Sequence, residues 1–97
     1  MKTIRVSAVS NPNMVAGALA AIMRESGRAR AQAVGAAAIN QTVKAIAIAR
    51  EMLVETGADV ICWPMFVDVN IEGQRKTAIL FSIRLDWPEE VKRFRAA

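Results

Sequence analysis

The sequence predicts a single α/β domain with its elements in the order βαβαββ, and three observations carry that expectation. Two strand-like stretches each lead into a stretch of helical period, and two further strand-like stretches then follow each other directly. Glycine, proline and asparagine fall at the joins, where the chain must turn. Ninety-seven residues are enough for one core, burying roughly 60% or a little more of the surface the unfolded chain exposes, and too few for two.

From Lys2 to Val9, Ile4, Val6 and Ala8 alternate with Thr3, Arg5 and Ser7, the pattern of a half-buried strand. Ser10-Asn-Pro-Asn follows; its oxygens suit a helix cap and its proline the first helical position. A helix is expected from there to Ser26, stopped by Gly27, with Val15, Leu19 and Ile22 on its buried stripe. Arg30 to Val34 reads as a short second strand, and a second helix should run from about Ala36 to Glu55, ending at Gly57. In projection its Asn40, Lys44, Glu51 and Glu55 share one narrow polar strip. Ile39, Val43, Ile46, Ala47 and Leu53 lie in one apolar region and Ala45, Ile48 and Met52 in another. The apolar arc is roughly 240–260°, where a one-sided surface helix needs little more than 100°. This helix therefore has two surfaces to satisfy: its own sheet, and either the first helix or a partner subunit, which a twofold dimer would supply. Arg50 falls inside that arc and is expected to meet a carboxylate or extend to the edge.

Ala58 to Ile71 predicts a third strand, bent or interrupted at Pro64, whose missing N–H suits an edge or a bulge. Arg75 to Leu85 predicts a fourth, with Ala78, Leu80 and Ser82 on one face and Ile79, Phe81, Ile83 and Leu85 on the other. The two form a hairpin with Gly73 at its tip. In the tail, Asp86 with Glu89 three residues on and Pro88 in the first turn make a capping-box pattern that predicts a short helix. Residues 1–85 are thus read as the domain and 86–97 as a C-terminal extension.

The composition narrows function by what it lacks. With no histidine, no tyrosine and one cysteine, neither a nucleophile–histidine pair nor a His/Cys zinc site can be built, so a non-enzyme without metal or small-molecule cofactor is expected. Asp59, Asp68 and Glu72 could do acid/base work, but nothing in the spacing brings two together. Cys62, in the apolar run VICWP, reads as a small core residue, and Trp63 and Phe66 likewise as core rather than stacking platforms. The opening MKTIRVSAV lacks the apolar region of a signal peptide, and no segment approaches the roughly 18 apolar residues of a membrane span; a cytoplasmic protein with no membrane partner is expected. The net charge of +4 is uneven: residues 1–50 hold seven Lys/Arg and one Glu, residues 51–97 six and eight acids. A basic half suits a polyanionic partner and equally an ordinary solvated surface.

Two features bear on binding. Gly35 with Ala36, Ala37 and Ala38 opens the second helix bare, which serves either tight packing on the sheet or access to the helix-start amides. Asn13, Asn40, Gln41 and Lys44 come from two helix starts that each follow a strand, so parallel strands would place them at one sheet edge. Arg75 and Lys76 beside Gly73 make a basic hairpin arm of a width able to enter a nucleic-acid groove; the same charges would also guard an exposed edge from aggregation.

Ser10, Pro12-Asn13, VAGALA (15–20), QAVG (32–35), AINQ (38–41), VKAIAIAR (43–50) and RKTA (75–78) closely resemble the stage V sporulation protein S family, over about residues 2 to 85. That family is similar in fold to the Alba chromatin proteins. The resemblance implies a two-layer βαβαββ sandwich, a mixed four-stranded sheet with both helices on one face, that forms a homodimer or higher oligomer. It implies nucleic-acid binding, DNA or RNA, through body loops and hairpin arms. By position, the body site falls on Ser10 to Asn13, including Asn11, and on Asn40, Gln41 and Lys44; the arm falls on Glu72 to Lys76, including Arg75. Alba proteins typically carry a lysine pair in the first βα loop, where this chain has SNPN. The implied role is a regulator of sporulation or of a related developmental programme. A protein-interaction or assembly module that binds no nucleic acid is the alternative, and small-anion sensing at the helix starts a third.

Overall fold

Four strands and two helices follow in the expected order in the computed structural model, which describes residues 2–88. They are β1 (Thr3–Val6), α1 (Pro12–Ser26), β2 (Arg28–Ala33), α2 (Ala36–Met52), β3 (Asp59–Ile71) and β4 (Gln74–Asp86), with a 3₁₀ turn over Val54–Thr56. The sheet order is β1-β2-β4-β3; β1 and β2 are parallel and the other pairs antiparallel. Both helices pack on the face of β1 and β2 and against each other.

β1 is shorter than its alternation suggests because serine hydrogen bonding competes for the backbone. The Ser7 N–H donates to Ser10 Oγ at 2.9 Å and the Ser10 N–H to the Ser7 carbonyl at 3.1 Å, closing a turn that takes Ala8 and Val9 out of the sheet. α1 begins where Asn11 Oδ1 accepts from the N–H groups of Asn13 (2.8 Å) and Met14 (3.3 Å), with Pro12 in the first turn. α2 gives way after Met52 to the 3₁₀ turn, where Thr56 Oγ1 donates to the Leu53 carbonyl at 2.6 Å. The expected tail helix lies outside the described residues from residue 89 on; Asp86 itself closes β4.

The core is built from small residues. Ala29, Ala31 and Ala33 of β2 face Ala16 and Ala20 of α1 and Ala45 and Ala49 of α2, while Leu19, Met23, Leu53, Phe81 and Ile83 fill the remaining space. Alternation on RARAQA places arginine and glutamine on the other, open face. Thr42 is the one buried polar side chain among the described residues, and it is satisfied by donating to the Ala38 carbonyl at 2.8 Å. Arg24 joins the far ends of the helices, donating to the Met52 carbonyl at 2.8 Å and pairing with Glu55 at 2.9 Å. Arg50 meets the carboxylate its position calls for: Asp59, through two hydrogen bonds of 2.6 and 3.2 Å. Among the described residues no helix is long and apolar enough to cross a membrane.

Candidate functional site

The parallel pairing of β1 and β2, Thr3 opposite Arg30 and Val6 opposite Ala33, ends both strands at one sheet edge, so both helices start there. The hairpin projects from the same edge. β2 pairs with β4 only as far as Ala33 opposite Ile79, and five further β3–β4 pairs, Val67–Ala78 to Ile71–Gln74, continue beyond it. At ordinary strand rise that is an arm of about 17 Å, consistent with a molecule extending 49 × 23 × 18 Å. Glu72 and Gly73 close the arm with φ of 51° and 79°, the positive pair that a two-residue type I′ turn requires.

At the two helix starts the backbone is treated differently. The oxygen of Asn11 is engaged in capping α1, leaving exposed Asn13 as the amide side chain that faces outward. Gly35, the residue before α2, sits at φ 88° and ψ 156°, which favours glycine, and no side chain caps the helix behind it. Gly35, Ala36 and Ala37 are exposed and only Ala38 is buried. Tight packing therefore accounts for Ala38, while Gly35, Ala36 and Ala37 lie outside that packing, at a helix start that no side chain caps.

Gln41 spans the two loops: its Nε2 donates to the Ser10 carbonyl at 3.0 Å, making it a strut between the helix starts. Asn40 and, one turn on, Lys44 are exposed on α2. On the arm, Arg75 is ion-paired with Asp68, whereas Lys76 and Lys44 have no salt bridge among the described residues. Asn13, Asn40, Lys44 and Lys76 are thus open to a ligand, Arg75 is partly neutralised, and Asn11 and Gln41 hold the frame. Such a set can hold an anion by backbone amides, side-chain amides and cations.

Three core expectations are overturned. Cys62 and Trp63 are exposed and Phe66 is 79% exposed, because β3 is an edge strand outside the cover of the helices and none of its residues is buried. Pro64 carried the signal for an edge. Partial desolvation pushes the Cys62 thiol up, away from the reactive thiolate. Asp59, held by Arg50, lies below the ordinary carboxylate range, and no cluster of three His, Cys, Asp or Glu that could hold a metal occurs among the described residues. Sequence reasoning missed Val9 and Met14, 92% and 75% exposed: the serine turn, invisible to periodicity, puts Val9 out of the sheet, and Met14 lies in the first turn of α1.

A cleft lined by Arg50, Glu51, Asp59 and Asp86 lies at the opposite end of the molecule, where its cation is already paired.

The family model described as Stage V sporulation protein S (SpoVS) matches residues 2–86, which spans every strand and both helices.

Proposed function

The chain belongs to the stage V sporulation protein S family, which carries a sporulation-related role, and from that membership we propose that it is a non-catalytic, nucleic-acid-binding regulator acting as a homodimer. One observation carries the binding: the parallel β1–β2 pair gathers both helix starts at the edge from which the arm projects. Uncapped amides at Gly35–Ala37 with Asn13 and Asn40 position phosphates or bases, and Lys44, Lys76 and, less strongly, Arg75 supply the attraction. Dimerisation is supported by large apolar side chains left exposed on two elements, Phe66 on β3 and Val43 and Met52 on α2.

Fluorescence anisotropy with labelled duplex DNA, single-stranded DNA and RNA across a salt series tests this. The expected result is binding that weakens steeply with salt, and its loss in Lys44→Glu while the variant remains a folded dimer. Unchanged affinity in that variant would refute the edge site. The exposed apolar set favours a second reading, a protein-interaction module; an absence of binding to any nucleic acid at low salt, with a salt-insensitive protein complex instead, would establish it.

A further inference from the structure

The open face of the sheet, opposite the helices, carries chemistry that the edge site does not use. The helices and the 3₁₀ turn balance three cations, Arg24, Lys44 and Arg50, against three acids, Glu25, Glu51 and Glu55. The charge excess therefore belongs to the sheet layer. Its strands carry six Lys/Arg and three Asp; Asp59 is engaged by Arg50 and Asp68 by Arg75.

Register then concentrates the excess on one face. Alternation on β2 points Ala29, Ala31 and Ala33 at the helices, so Arg28 and Arg30 point away. Arg5 lies beside Gln32 on the same face, and Arg84 is the register partner of Arg28. Like charges directly opposite each other in a sheet cost stability, a cost that an anion seated between them removes. Beside this pair stands Trp63, 46% exposed, with the Arg84 guanidinium 4.8 Å from its ring centroid. A groove of about 440 Å³ lined by Arg5, Gln32 and Val69 to Ile71 shows that the arm curves over this face and gives it a wall.

We propose that the open face of the sheet binds single-stranded nucleic acid, with Trp63 stacking a base and Arg5, Arg28 and Arg84 holding phosphates. Strandedness follows from the indole: inside a duplex both faces of a base are already stacked, so a sheet-borne aromatic can stack only on a base splayed out of a single strand. The inference rests on the nucleic-acid reading above and adds to it a surface and a strand state.

The test is anisotropy of the full chain with labelled oligo-dT, oligo-U and a duplex of equal length. Trp63→Ala should weaken both single-stranded probes about 5- to 100-fold, and Trp63→Phe, which keeps a stacking face, should retain most of the affinity. Arg28→Gln with Arg84→Gln should lower the single-strand salt slope by about 1.4. Single strands should quench a component of tryptophan emission present in the wild type and absent from Trp63→Phe, a readout that a structural role would not produce. Unchanged single-strand affinity in Trp63→Ala and in the arginine double variant, with binding still lost in Lys44→Glu, would overturn the open-face site and leave the edge site standing. A wild-type chain that binds no probe at low salt would overturn both.

Discussion

Asp68→Asn is expected to strengthen nucleic-acid binding, and the arm's geometry sets the size of the effect. The Asp68 carboxylate holds the Arg75 guanidinium across the hairpin, with side-chain exposures of 53% and 80%. A surface pair of this kind is worth about 0–1 kcal/mol to stability, so an asparagine, whose oxygen can still accept from Arg75, leaves the arm folded. What changes is that one acid disappears from the phosphate path and one cation is released. Each phosphate contact adds about 0.9 to the slope of log affinity against log salt on duplex DNA. With Lys44 and Lys76 engaged in each protomer, a dimer gives a slope of about −3.6; with Arg75 added in both, about −5.4. Raising salt from about 50 to 200 mM would then cost about 1,800-fold in affinity instead of about 150-fold. Anisotropy titrations at three salt concentrations measure this directly, and Arg75→Gln in the Asp68→Asn background should restore the shallower slope. An unchanged slope and unchanged low-salt affinity would show that the arm does not meet phosphates.

Leu53→Ala, at the fully buried position closing α2, should cost about 2–5 kcal/mol in guanidinium unfolding; a loss under about 1 kcal/mol would mean that α2 is not anchored there. Asp59 is held below the ordinary carboxylate range first by its hydrogen bond from Arg50, then by the Val60 N–H. A depressed carboxyl contributes stability that is present above its unfolded value and lost as pH falls through the lowered one, so wild type and Asp59→Asn should differ at neutral pH and converge below about pH 4. The same gap at both ends of the profile would rule out the ion pair as its cause. Phe66→Asp should convert the dimer to a monomer in light scattering, and the wild-type unfolding midpoint should rise with protein concentration while the variant's does not. A wild type that stays monomeric refutes the dimer.

The elements were legible because their signals are local. Asn11-Pro12 and Gly27 bracket α1 with a cap and a stop, and Glu72-Gly73 fixes the hairpin and hence the β3–β4 register. Arg50 meets a carboxylate, one of the two outcomes expected of a charge in an apolar arc, yet the pair is exposed at 63% and 53%, so burial does not force it. What sequence could not supply was the order of strands. Trp63 and Phe66 sit among apolar neighbours that read as core, yet β4 inserts between β2 and β3 and leaves β3 at the rim. At the site, residue type alone did not separate ligand-facing groups from framework: Asn11 and Asn13 look alike until one is seen capping the helix. The same holds for Gln41 and Asn40, of which only Gln41 reaches across to Ser10.

The choice of small residues links the core to the proposed assembly. Nine of the fifteen buried apolar residues among those described are alanines, and an alanine contributes only about one methyl of burial, about 0.8 kcal/mol, against 1.5–3 kcal/mol for a larger side chain. Alanine lets both helices lie close on β2, but it leaves the monomer a thin core. Other large apolar side chains stay outside it, Val43 and Met52 on α2 and Phe66 on β3. Covering that surface with a second copy adds the burial that the monomer forgoes, and the same step doubles the number of arms. Two unpaired site lysines per chain, Lys44 and Lys76, give a salt slope of only about −1.8, a weak hold on a polyanion. Joined in one particle, the second set of contacts becomes intramolecular and acts at a high effective concentration. In the proposed dimer, stability and affinity draw on the same interface, and a substitution that opens it should weaken both together.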